Sequence, residues 1–118
     1  MQVVLIGLGR MGANMARRWA RGGVNVVAFD QSEEARAAAT EARVSPAGSI
    51  AEALAAGAGA TPRIVWLMLP AGEVTEATIT ALLPQLAKGD LLVDGGNANY
   101  KDTLRRAAAA NTVGVDYA

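Results

Sequence analysis

Three glycines and one acid carry the chemistry that this chain advertises. Gly7, Gly9 and Gly12 have the spacing G-x-G-x-x-G, directly after the apolar run Val3-Val4-Leu5-Ile6, and Asp30 closes a second apolar run roughly 20 residues further on. A turn of this kind that opens a helix leaves the first amide groups of the helix without partners and adds the positive end of its dipole. Such a turn grips linked phosphates without a basic side chain. The first glycine permits the tight turn, the second lets the backbone approach a pyrophosphate, and the third lets helix and strand pack closely. A carboxylate at the end of the next strand accepts the hydroxyls of a ribose. A chance glycine cluster beside an ordinary strand-end aspartate is the alternative, and the agreement of strand, turn, helix, strand and acid speaks against it.

The elements that must position these residues follow from periodicity and punctuation. Residues 3–6 read as a strand and 10–21 as a helix, with Met11, Met15 and Trp19 on an apolar stripe and Gly22-Gly23 as its stop. Residues 24–29 form the second strand. Ser32 caps a helix that runs to residue 42, with Glu33 and Glu34 in its first turn, where they suit the dipole. A short extended piece near Val44 precedes Ser49-Ile50-Ala51-Glu52, a capping box that opens a short third helix. The continuous apolar run at 64–69 has the character of a strand buried on both faces. The helix begun by Glu73 and Glu76 turns Val74, Thr78, Ile79, Leu82 and Leu83 inward and ends near Pro84. Residues 91–94 form another strand, followed by the turn Gly95-Gly96-Asn97, a helix over 101–110 and a strand over 113–117. Strands and helices alternating in this way predict an α/β chain, a Rossmann doubly wound, mostly parallel sheet with helices on both faces. Ligands of such sheets sit beyond the carboxyl ends of the strands. The exits at 7–12, 30–32, 69–74 and 94–97 therefore mark the expected site.

With 118 residues the chain fits one domain, residues 1–118, and is short for a complete two-substrate enzyme. Its 11 basic and 11 acidic residues cancel, which argues against nucleic acid or an anionic membrane surface as a partner. There is no histidine and no cysteine, so thiolate nucleophiles, disulfides and histidine bases are excluded by inventory. The apolar opening run lacks a basic leader and reads as a strand, and no stretch approaches the roughly 20 apolar residues that span a bilayer. A cytoplasmic protein is expected.

Asp30 bears on which dinucleotide is bound. A carboxylate suits the two free ribose hydroxyls of NAD and opposes a 2′-phosphate as like charge. NAD is therefore favoured, with NADP still possible because Arg36 lies near Gln31 and Ser32; the alternative for Arg36 is a solvated surface residue.

The segment Gly7-Leu8-Gly9-Arg10-Met11-Gly12-Ala13-Asn14-Met15 resembles the opening of the β-hydroxyacid dehydrogenases. Asp94-Gly95-Gly96-Asn97, with Tyr100-Lys101-Asp102 and Arg105-Arg106, resembles the 6-phosphogluconate dehydrogenase branch in particular, and the 68–72 loop is in register with it. The resemblance covers essentially the whole chain. It implies oxidative decarboxylation of 6-phosphogluconate to ribulose 5-phosphate with hydride passing to a nicotinamide cofactor, in a full-length protein that is a homodimer or larger. It further implies cofactor contacts at Gly7, Leu8, Gly9, Arg10, Met11, Gly12, Asp30, Gln31, Leu69, Pro70, Ala71, Val74 and Asn97, with Asn97 also meeting substrate. Asn97 as a plain turn residue, and Met11 as a core residue, are the competing readings. Trp19 and Trp66 read as core.

Two departures matter. Many NADP-using members have Asn-Arg-Thr where this chain has Asp30-Gln31-Ser32, which agrees with NAD. The family's later Ser-Gly-Gly turn, its catalytic lysine and its helical catalytic and dimerisation domain have no counterpart before Ala118. Alcohol oxidation needs a base and loss of carbon dioxide an acid. Lys88 and Lys101 are poorly placed for either, so no catalytic residue is assigned in this chain. A different β-hydroxyacid dehydrogenase, or a non-catalytic module sensing NAD and NADH, would share the first motif.

Overall fold

The computed structural model describes residues 2–41, 43–56, 63–69, 73–95 and 100–117, with the backbone alone at positions 10, 41, 74 and 100–104. In chain order the elements are β1 (Gln2–Ile6), α1 (Arg10–Arg21), β2 (Asn25–Phe29), α2 (Glu33–Glu41), β3 (Ser45–Pro46), α3 (Ile50–Ala56), β4 (Ile64–Leu67), α4 (Glu73–Leu82), a 3-10 turn (Leu83–Gln85), β5 (Leu91–Asp94), α5 (Tyr100–Thr112) and β6 (Asp116–Tyr117). All strand pairings are parallel, in the order β3-β2-β1-β4-β5-β6. This is the Rossmann-type doubly wound sheet, with β1 and β4 meeting at the point where the winding reverses.

Alternation along each strand feeds two cores. Val4, Ile6, Val27, Val65, Leu67 and Leu92 pack on one face with Ala53 and Leu54 of α3, Ile79 and Leu82 of α4 and Ala110 of α5. Leu5, Val26 and Ala28 face the other way, against Ala16 of α1 and Ala39 of α2, with Trp19, Trp66 and Met68 at the margin. Both tryptophans pack, half-buried, against this second core rather than within it, in an edge-on pair with ring centroids 5.3 Å apart.

The local signals act largely as read. Ser32 Oγ accepts the Ala35 N–H and Ser49 Oγ accepts the Glu52 N–H, so both serines cap their helices. The capping box is displaced by one residue, because the Glu52 carboxylate reaches past the cap to accept the Gly48 N–H. Three expectations are corrected. The buried side of α4 is Thr75, Ile79 and Leu82, with Thr78 and Leu83 only half-buried. The last strand is two residues rather than five, since Val113 and Gly114 turn back to close α5 through bonds to Ala110 and Asn111. Met11 is 67% exposed, so the stripe on α1 enters the core only at Trp19, with Met15 between.

Candidate functional site

The glycine turn is shaped by contact with β4. Gly7 has φ +105°, and a Cβ there would overlap the Met68 carbonyl oxygen; a Cβ on Gly12 would overlap the Gly7 carbonyl oxygen. Both positions admit only hydrogen because backbone already fills the space. Gly9 differs, having no heavy atom within 4 Å of where a Cβ would stand. It is the N-cap of α1, extended at φ −64° and ψ −175°, and no side chain caps the helix. The amides at 9–12 precede the first intrahelical bond, from the Ala13 N–H to the Gly9 carbonyl, and no acceptor among the described residues takes them, which leaves them suited to an anion.

Asp30 lies against this turn. Its Oδ2 accepts the Leu8 N–H at 2.7 Å and its Oδ1 accepts the Ser32 N–H at 2.8 Å. Two amides ahead of the helix are already paired: the Gly7 N–H is held by the Phe29 carbonyl and the Leu8 N–H by Asp30. The carboxylate nonetheless keeps a second acceptor position on each oxygen, which is what two ribose hydroxyls require. Gln31 is exposed beside it.

A cleft of about 290 Å³ opens at this end of the sheet, bordered by Phe29, Asp30, Gln31, Ile50, Leu69 and Thr78. Its apolar walls with an acid at one side suit a nucleoside. Leu69 was expected there; Phe29, Ile50 and Thr78 were not. The residue before the strand-end acid and the first residue after a helix cap are the signals that point to Phe29 and Ile50. Pro70, Ala71 and Asn97 lie outside the described residues, as do the side chains of Val74 and Arg10. Met11 stands exposed on the first turn of α1, which rules out its reading as a core residue.

Arg36 is neither a solvated arginine nor a cation over the cleft. It is half-buried, and its Nη1 donates to the Asp30 carbonyl at 2.6 Å and to the Gln31 carbonyl at 3.4 Å.

The end of β5 at Asp94 is anchored from neighbouring elements. Arg106, 2% exposed, donates to Asp94 Oδ2 at 3.1 Å and to Glu76 Oε2 at 2.9 Å, and the Tyr117 hydroxyl donates to Asp94 Oδ2 at 3.1 Å. Arg105 holds the same Glu76 by two bonds, so its carboxyl is pushed down to about 2 by the hydrogen bonds from Arg105 and then Arg106. Tyr117 is raised above the usual phenol value by burial and by the nearby Asp94 charge. The arginine pair that carries the family resemblance thus ties α4, α5, β5 and β6 together. At the opposite end of the sheet, Asp90 accepts from the Ala87 and Arg63 N–H groups and from the Arg63 guanidinium. Burial works to raise the Asp90 pKa, and these donors outweigh it and lower the value.

Among the described residues no helix is long and apolar enough to cross a membrane, and no group of acids is arranged to hold a metal ion. Lys88 lies beside Gly114, at the same end as Asp90 and away from the glycine turn.

Comparison with known proteins agrees with this geometry. The chain is 46% identical over 116 residues to the NAD(+)-dependent, decarboxylating 6-phosphogluconate dehydrogenase of Haloferax volcanii, covering 98% of this chain and 38% of that protein. The chain thus spans about two fifths of that relative's length. Among solved structures, Plasmodium falciparum 6-phosphogluconate dehydrogenase, studied apo and with its cofactor NADP+ or its substrate 6-phosphogluconate, matches with TM-score 0.89 at 26% identity over 99% of this chain and 26% of that one. Mycobacterium tuberculosis 3-hydroxyisobutyrate dehydrogenase matches with TM-score 0.87 at 29% identity over 98% of this chain and 38% of that one. The family profile described as the NAD binding domain of 6-phosphogluconate dehydrogenase matches residues 2–118, and the chain belongs to that family.

Proposed function

We propose that this chain is the cofactor-binding part of an enzyme that oxidatively decarboxylates 6-phosphogluconate to ribulose 5-phosphate with NAD. The observation that carries the reading is the 2.7 Å bond between Asp30 and the Leu8 N–H, which brings the strand-end acid onto the glycine turn one residue before Gly9, whose Cβ position is open space. In this assignment the amides of Gly9, Arg10, Met11 and Gly12 hold the pyrophosphate. Asp30 takes the ribose hydroxyls, Gln31 borders them, and Leu69, Pro70, Ala71 and Val74 flank the nucleoside. By the family resemblance Met11 would contact the nicotinamide, and Asn97 both the nicotinamide and the substrate. When bound, the nicotinamide accepts the hydride. The chain's own residues bind and orient it.

The base and acid of the reaction are assigned to a helical domain outside this chain. In support, Ile64 pairs with Leu91 and Trp66 with Val93 on the sheet face opposite Val65, Leu67 and Leu92, and all four are only half-buried. A partly exposed apolar strip on a sheet suits a packing partner, here the remainder of a protein that assembles as a homodimer or larger in the cytoplasm. The test is titration of the 118-residue chain with NADH and NADPH, followed by an assay for 6-phosphogluconate-dependent reduction. Tighter binding of NADH without turnover is expected. Turnover by this chain alone would refute the division of labour, and failure to bind NADH would refute the site.

A further inference from the structure

We infer that Arg36 is a positioning residue that sets the preference for NAD over NADP by fixing the main chain behind Asp30. The inference rests on the proposed role of Asp30 as ribose ligand. The last carbonyls of β2 are satisfied in sequence: Ala28 accepts the Ala47 N–H, Phe29 accepts the Gly7 N–H, and Asp30, one residue beyond the strand, accepts the Arg36 guanidinium at 2.6 Å. The same Nη1 lies 3.4 Å from the Gln31 carbonyl. Asp30 is thus held on its carboxylate side by the Leu8 and Ser32 amides, at 2.7 and 2.8 Å, and on its carbonyl side by Arg36. Neither end of the residue is free to turn.

The direction of the guanidinium decides what it does. The cleft is bordered by Asp30 and Gln31 and not by Arg36. The positive charge is engaged with carbonyls, while the negative charge of Asp30 faces the ribose position, and Glu33 and Glu34 add further negative charge in the adjoining first turn of α2. A 2′-phosphate entering here meets a carboxylate that cannot move aside. Without Arg36 the Asp30–Gln31 peptide loses its anchor. The carboxylate then serves the ribose hydroxyls less well and repels a phosphate less effectively.

The test is a set of fluorescence titrations of this chain with NADH and with NADPH, for wild type, Arg36→Ala, Arg36→Lys, Asp30→Ala and the double variant Asp30→Ala/Arg36→Ala. Arg36→Ala should weaken NADH by roughly three- to tenfold, the loss of one orienting hydrogen bond, and weaken NADPH less, so that the NADH preference falls. Arg36→Lys should recover most of the preference, because a single N–H can still reach the Asp30 carbonyl, and it serves as the comparison if the alanine variant does not fold. In the Asp30→Ala background the Arg36 substitution should have no further effect on the preference. A larger loss for NADPH than for NADH would make Arg36 a phosphate ligand and overturn the inference. Equal losses for both cofactors, or an undiminished effect without Asp30, would overturn it too. Wild type that binds NADH while Arg36→Ala changes nothing overturns this inference alone; wild type that binds no NADH overturns the underlying reading with it.

Discussion

Replacing each glycine of the turn by alanine should separate binding from folding. Gly9 already has dihedral angles that alanine adopts, and its Cβ would stand in open space. The stability cost is that of a poorer N-cap, about 0.5–1 kcal/mol. The same methyl stands where a pyrophosphate must come closest. Each charge-assisted bond from an amide to phosphate contributes about 1.5–3 kcal/mol, so displacing the phosphates from one or two amides should cost about 2–4 kcal/mol of binding, roughly 30- to 700-fold in Kd. Gly7→Ala and Gly12→Ala act differently. The first combines φ +105° with overlap on the Met68 carbonyl and the second drives a methyl into the Gly7 carbonyl. Both should destabilise by about 3 kcal/mol or more, a large share of the roughly 5–15 kcal/mol of a typical domain. Urea unfolding paired with NADH titration checks all three. A Gly9→Ala chain that folds and binds NADH within about threefold of wild type, a difference of under about 1 kcal/mol, would refute the placement of the pyrophosphate.

The other predictions concern the charge network. Glu76 is lowered from 4.5 to about 2 by Arg105 and Arg106, so its contribution is complete above pH 4.5 and is lost as pH falls toward 2. The full shift converts to about 3 kcal/mol, but with 35% of the side chain exposed and screened, about 1 kcal/mol is expected. Urea midpoints across that pH range should fall more steeply for wild type than for Glu76→Gln, and equal slopes would rule the contribution out. Arg106→Met should cost about 3–5 kcal/mol because it removes the buried guanidinium that donates to both Asp94 and Glu76, whereas Arg105→Met, at a 56% exposed side chain, should cost under about 1 kcal/mol. Thermal melts that show equal losses would contradict the assigned burial.

The course of the chain was legible wherever the cause is local. Glycine spacing, the apolar run before it and the double glycine after it set the bounds of α1, and Ser32 and Ser49 mark helix starts because a cap needs only its own neighbours. What stayed hidden depends on pairings across the sheet. The Asp30 to Leu8 bond joins residues 22 apart, and nothing in the spacing distinguishes Arg36, which turns back onto a carbonyl, from Arg105, which is exposed. Arg106 is buried where Glu76 and Asp94 accept from it and Tyr117 donates to the same Asp94 oxygen, each from a separate element. The stripe on α1 misled for the same reason: four-residue spacing shows which side is apolar, not how far along the helix a neighbour covers it, and Met11 stands beyond that cover.

The two-residue strand β3, paired through Ser45 and Pro46, also governs how the domain meets its surroundings. Proline brings no N–H to the ladder, so the outer rim at β3 offers a foreign strand almost nothing to zip onto. Accretion of copies edge to edge is thereby discouraged on that flank.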